Sequence, residues 1–185
     1  SVHKEFPNRL EVNLDLRLPY AVIKRGSVYT CVSEDGFVLD SKLYQLSPDK
    51  TSTLTPLIEV PSETKLPVAR KEWDEPAVEG ALAMLRLYRG PLNTLPVSLI
   101  SIEAQKPTPS APVLYMVWLS IGTDKEPDKG PLVQWGRAPN CPPSDFEANT
   151  QTKINSLLAV VAREKQNFWR FKQIDVRDPQ VRCEE

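Results

Sequence analysis

From Arg9 to Leu18 the chain alternates, with Leu10, Val12, Leu14, Leu16 and Leu18 on one side and Glu11, Asn13, Asp15 and Arg17 on the other. A two-residue period is that of a strand with one face in a core and the other in water. Pro19 removes a backbone donor and ends the pairing or moves it to an edge, so Tyr20 to Ile23 reads as a short continuation. Val28 to Val32 and Phe37 to Leu39 flank Ser33-Glu34-Asp35-Gly36. Asp-Gly between two β-rich runs predicts a hairpin, because glycine accepts the positive φ that the turn demands. Ser41 to Thr55 is polar and turn-rich and reads as a surface loop, and Leu57 to Val60 as another brief strand.

At Asp74-Glu75-Pro76 the period changes. Acidic residues and a first-turn proline suit a helix start, where unpaired N–H groups create positive potential. Val78, Ala81, Leu82, Leu85 and Tyr88 then recur at helical spacing until Gly90-Pro91. Leu95 to Ile102 alternates again. A proline-rich link, Lys106 to Pro112, leads into the continuous apolar run Val113 to Leu119, which has the character of a central strand. Thr123 to Gly130 reads as a charged loop and Pro131 to Trp135 as a strand stopped by Gly136. Ser144-Asp145-Phe146-Glu147 has the form of a capping box. The helix expected after it buries Phe146, Thr150, Ile154, Leu157, Leu158, Val161 and Ala162, and Phe168 to Val176 closes the chain as a strand.

Strands, helix, strands, helix, strand predict an α+β fold: a mixed, mostly antiparallel twisted sheet with helices on one face. The 18 prolines among 185 residues punctuate the chain and favour short elements joined by stiff turns. With 41% apolar residues there is enough for a core. Charge changes the picture by exclusion. Lys plus Arg number 23 against 24 Asp plus Glu, so the basic excess that phosphate backbones select is missing and nucleic acid is not an expected partner. No apolar run reaches the roughly 18–20 residues of a spanning helix.

Candidate chemistry is sparse. His3 is the single histidine, so serine or cysteine nucleophiles have no evident base. Cys31, Cys141 and Cys183 are scattered; one disulfide plus a thiol, or three free thiols, are both compatible, and a zinc site is not expected. Glu34 and Asp35 are two adjacent carboxylates, but turn chemistry accounts for Asp35-Gly36. Seven dispersed glycines form no phosphate-binding loop. Trp118, Trp135, Trp169 and Phe171 are read as packing aromatics before a ligand patch. Asp175 and Arg177 alternate with Ile174 and Val176 and read as a solvent-facing pair. No catalytic residue, cofactor or metal is expected.

Three segments carry a resemblance. Phe6-Pro7-Asn8-Arg9-Leu10-Glu11-Val12, running into Leu18-Pro19-Tyr20-Ala21, is similar to the last strand of a POTRA module and the junction after it. Val32 to Val38 resembles the hairpin that opens the following β domain, and Leu54 to Ile58 a Leu-Pro-x-Leu segment. Leu132-Val133-Gln134-Trp135-Gly136, a helix with Lys153, and Ile174-Asp175-Val176-Arg177 resemble a strand–helix–strand finish. In this order the segments resemble the extracytoplasmic part of the FtsQ/DivIB cell-division family.

The resemblance implies residues 1–19 as the end of a truncated POTRA module and 20–185 as the β domain. It implies a non-catalytic scaffold on the periplasmic side of the cell membrane, anchored through an N-terminal helix outside this sequence. Its implied partners are FtsB/DivIC-like and FtsL-like subunits. They would bind by strand addition at an open C-terminal edge comprising Phe171, Ile174, Asp175, Val176, Arg177, Asp178, Gln180 and Val181. Pro179 must then face outward or end the pairing. The alternatives are a POTRA-type scaffold of envelope assembly or transport and, behind it, an enzyme built on a carboxylate pair.

Overall fold

The computed structural model describes residues 2–5, 9–12, 17–40, 56–103, 113–120, 129–142, 145 and 147–185. Expectations for residues 13–16, 41–55, 106–112 and 123–128, and for Ser144 and Phe146, lie outside them. Strands β1 (Val2–Glu5) and β2 (Arg9–Val12) form an antiparallel ribbon of their own. The rest of the described chain builds one sheet. In chain order come β3 (Ala21–Arg25), β4 (Val28–Val32), β5 (Leu57–Val60), α1 (Pro76–Arg89), β6 (Val97–Glu103), β7 (Leu114–Ser120) and β8 (Lys129–Gly136). Then follow α2 (Thr150–Glu164), a 3-10 turn (Lys165–Arg170), β9 (Gln173–Asp175) and β10 (Arg182–Glu184).

The strand order is β10-β9-β8-β7-β6-β5-β3-β4. β5–β3, β6–β5 and β9–β8 are parallel and the other four neighbours antiparallel, the mixed and mostly antiparallel sheet that the element order predicts. Register explains the core. Thr30, Ile23, Ile58, Ile100, Val117, Val133, Ile174 and Cys183 stand in one rank across all eight strands. The six inner members of that rank are fully buried. A slip of one residue in any strand would turn its apolar set to the opposite face.

Both helices cover this rank, and topology requires it. β5–α1–β6 and β8–α2–β9 are parallel crossovers stepping the same way along the sheet, between strands that point the same way. Crossovers share one hand, so both helices land on one face. Their buried residues, Val78, Ala81, Leu85 and Tyr88 from α1 and Ile154, Leu157 and Val160 from α2, join one cluster with the strand residues. Pro76 opens α1, and Arg86 and Arg89 occupy its last turn beside the negative end of the dipole. Gly80 faces the sheet. A Cβ there would fall 2.2 Å from the Tyr115 hydroxyl, which donates to the Ala77 carbonyl at 3.1 Å. The reverse face carries a small cluster of Val22, Cys31 and Leu39 with Tyr29, Phe37 and Leu57 packed against it.

Four sequence readings change. α2 starts at Thr150, capped by Asn149, whose side chain accepts the Thr152 N–H at 2.9 Å, so Glu147 precedes the helix. Ala162, expected inside, is exposed. Residues 168–170 lie in the 3-10 turn, which leaves a closing strand of only three residues, and a further strand, β10, follows it. Gly130, placed in a loop by its charged neighbours, belongs to β8.

Candidate functional site

The end of the chain is assembled on β8. β8 stops at Gly136, where φ is +84°, and the chain turns away with Arg137. Glu147 folds back into the space that a side chain at residue 136 would occupy: a Cβ there would fall 2.0 Å from its Oε1. The same oxygen accepts the Arg137 N–H at 2.8 Å and the Lys153 ammonium. Lys153, one turn into α2, also donates to the Trp135 carbonyl at 2.8 Å, and its side chain is only 3% exposed. Burial pulls the Lys153 ammonium below its usual range, with the Glu147 carboxylate pulling the other way. The Ala148 N–H donates to the Arg177 carbonyl at 2.7 Å, closing the unit onto the end of β9. Gly136, Glu147 and Lys153 thus form one latch that fixes α2 between β8 and β9.

β9 stands beside β8 with Val133 opposite Ile174 and Gln134 opposite Asp175. Residues 177–180 then turn the chain, and β10 pairs antiparallel on the far side of β9, Cys183 opposite Ile174. The open rim expected along Phe171 to Val181 is therefore displaced. The strand within that range is flanked on both sides, and the outer position belongs to 182–184. The physical reason is Pro179. It ends pairing within the turn, and the alternation Val181, Arg182, Cys183, Glu184 resumes it in the opposite direction. That short alternation was the available signal.

The expected site residues separate accordingly. Ile174 and Val176 are core. Phe171 and Val181 are half-buried and pack with Cys183 against the main cluster. Asp175 and Arg177 form a geometry firmer than a surface pair: Arg177 donates to Asp175 at 2.9 and 2.6 Å and to the Gln134 side chain at 2.8 Å, and the Asp175 side chain is 15% exposed. Burial raises the Asp175 carboxyl, but hydrogen bonds from the Arg177 side chain and N–H outweigh it and hold it below the usual carboxylate value. Asp178 accepts from Arg182 at 2.9 Å, and Gln180 is exposed in the turn.

The other candidates resolve into structure. Trp135 is fully buried and meets Tyr88 edge to face, with ring centroids 6.3 Å apart. Trp118, Trp169 and Phe171 are half-buried. Asp35 accepts the Ser33 hydroxyl and pairs with Arg17 at 2.9 Å, and Gly36 takes the expected positive φ of 78°. Cys31, Cys141 and Cys183 are free thiols. Among the described residues no three His, Cys, Asp or Glu side chains cluster as metal ligands, and no helix is long and apolar enough to cross a membrane. A cavity of about 360 Å³ opens beside the latch, lined by Arg137, Cys141, Glu147 and the first turn of α2. Set against known proteins, the chain matches no family model and no curated sequence.

Proposed function

We propose that this chain is a non-catalytic scaffold domain that receives a strand from a partner protein along the outer side of β10. We propose further that it serves on the extracytoplasmic side of a bacterial membrane, as the resemblance to the FtsQ/DivIB cell-division family suggests. FtsB/DivIC-like and FtsL-like subunits are then the partners. The observation that carries the reading is that β10, three residues long, ends the eight-strand order, with no further strand outside it among the described residues. A terminal strand leaves backbone N–H and C=O groups available to another chain.

Magnitudes say what else the partner must bring. Each backbone hydrogen bond contributes about 1 kcal/mol net, so a three-residue rim supplies about 2–3 kcal/mol. Micromolar binding needs about 8 kcal/mol. The balance must come from side chains. On the helix face Phe171, Val181 and Cys183 offer a half-buried apolar step, and on the reverse face Arg182, Asp175 and Arg177 offer charge. A strand alternating apolar and charged residues suits both.

The test uses a peptide from an FtsB/DivIC-like subunit of the same organism. Amide exchange at residues 181–185 should slow when the peptide is added, and Cys183→Pro should weaken binding at least tenfold while Cys183→Ser does not. Unchanged exchange at 181–185 under saturating peptide sinks the proposal. A charged substitution at Ile174 would unfold the core and is no probe of this rim.

A further inference from the structure

At the rim the hydrogen bonds fix which way each backbone group points. The Leu132 N–H donates to the Lys172 carbonyl at 2.9 Å and the Val176 N–H to the Gln134 carbonyl at 3.2 Å. Ile174, between them on β9, therefore turns its backbone groups to β8. Successive residues of a strand alternate, so Gln173 and Asp175 turn theirs to β10, where Glu184 and Arg182 stand opposite. The Glu184 carbonyl accordingly accepts inward, from the Lys172 N–H at 2.8 Å. Cys183 is left with its N–H and C=O directed away from the sheet. The side chains sort as well. Cys183 lies on the helix face in line with Ile174, while Arg182 and Glu184 lie on the reverse face, both exposed. Arg182 pairs with Asp178 at 2.9 Å, and the Glu184 carboxylate has no ion-pair partner among the described residues.

We propose that the outer side of β10 is self-complementary, and that a second copy of this chain covers it while no partner strand is bound. Resting on the reading of β10 as a receptor edge, this pairing names what occupies the edge in the partner's absence. With two copies antiparallel about a two-fold axis at Cys183, each Cys183 N–H donates to the Cys183 carbonyl of the other copy. Arg182 of each copy then stands opposite Glu184 of the other, in a non-hydrogen-bonded pair, where side chains approach most closely. The charges also select the register. In the nearest alternatives that keep the outward backbone groups paired, the axis falls at Arg182 or at Glu184. Each sets a charge opposite its own copy, which is destabilising. An isologous contact of this kind closes on itself as a pair. It is also weak. One exchange of backbone bonds with two exposed charge pairs corresponds to a Kd of about 1 mM. Chains held side by side reach effective concentrations of about that order. A partner strand that also engages Phe171 and Val181 binds more tightly and displaces the copy.

Amide NMR signals of residues 181–185, followed as the chain is concentrated from about 0.05 to 2 mM, read the pairing. The native signals should shift with a midpoint of about 1 mM. Glu184→Arg sets Arg182 opposite a second arginine and should raise the midpoint about five- to thirtyfold, abolishing most of the shift. Arg182→Glu sets two glutamates opposite and should do the same. An equal mixture of the two variants restores both charge pairs and should return the midpoint to within about twofold of the native value. If Arg182→Glu loses the amide protection at Lys172, Arg182→Gln replaces it, and the mixture then recovers one of the two pairs. No concentration-dependent shift in the native chain overturns the proposal. So does a shift that Glu184→Arg leaves unchanged, or a mixture that recovers nothing. A peptide from an FtsB/DivIC-like subunit keeps the two readings apart. Self-association without peptide binding would count against the proposed partner alone, and peptide protection of 181–185 without self-association against the second copy alone.

Discussion

Replacing Lys153 by Met tests the latch, because the two side chains match in length and the change removes only the charge and its donors. The Lys153 side chain is 3% exposed and that of Glu147 12%. Breaking a buried pair by removing one partner costs about 3–5 kcal/mol, since the remaining charge stays buried. Here the lower end applies, near 3 kcal/mol, because Glu147 keeps the Arg137 N–H at 2.8 Å. Glu147→Gln leaves Lys153 its bond to the Trp135 carbonyl and a neutral acceptor, so about 2 kcal/mol is expected. The double variant buries no unpaired charge and should lose only about 2 kcal/mol, mostly through the orphaned Trp135 carbonyl. The pair is thus coupled by about 3 kcal/mol, the upper end for neighbouring residues. Urea denaturation of the four proteins, with m unchanged, measures the cycle. Single losses below about 1 kcal/mol that simply add would refute the reasoning, because they would mean that the pair is solvated.

Three further outcomes follow from the same geometry. Gly136→Ala forces a Cβ into Glu147 at a φ of +84° and should cost about 3 kcal/mol or more, removing most of the Lys153 coupling when the two changes are combined. Gly80→Ala drives a Cβ to 2.2 Å from the Tyr115 hydroxyl and should lower stability by about 1–3 kcal/mol. Tyr115→Phe in the same background should recover part of it, whereas no loss in Gly80→Ala would mean that α1 can lift from β7. The Asp175 carboxyl is held below its usual 3.8, so the unfolded chain binds more protons in that window. Its stabilisation is present above pH 3.8 and is lost as pH falls through the lowered folded value. The difference in unfolding free energy between the native chain and Arg177→Gln should shrink from pH 6 to pH 2, and a constant difference would deny the coupling.

What could be read from the sequence was whatever repeats at a fixed period over several residues. Val78 to Tyr88 at helical spacing, and the apolar run Val113 to Leu119, gave a helix and a central strand close to their observed bounds. Asp35-Gly36 gave a turn, because one backbone conformation needs that glycine. The edge of the sheet was legible only in part: β9 falls within the strand expected over Phe168 to Val176, but its short length and the presence of β10 were not read. β9 and β10 have three residues each, too few for a period, and they exist because a finished sheet offers them a neighbour. Glu147 was assigned to a helix cap since Ser144-x-x-Glu147 has that spacing, while Asn149 satisfies the same need by accepting the Thr152 N–H. The carboxylate was left to serve Lys153 and the backbone of Arg137, partners that only the return of the chain to Gly136 brings near. Lys153 reads as one more charge on a helix until the fold buries it. The residues that hold the rim in place are therefore those whose local pattern suggests a surface, and the strand proposed as the receptor is the one with the weakest local signal. A strand-addition edge has to be weak in this sense: a long apolar edge strand would pair with its own copies before any partner arrived.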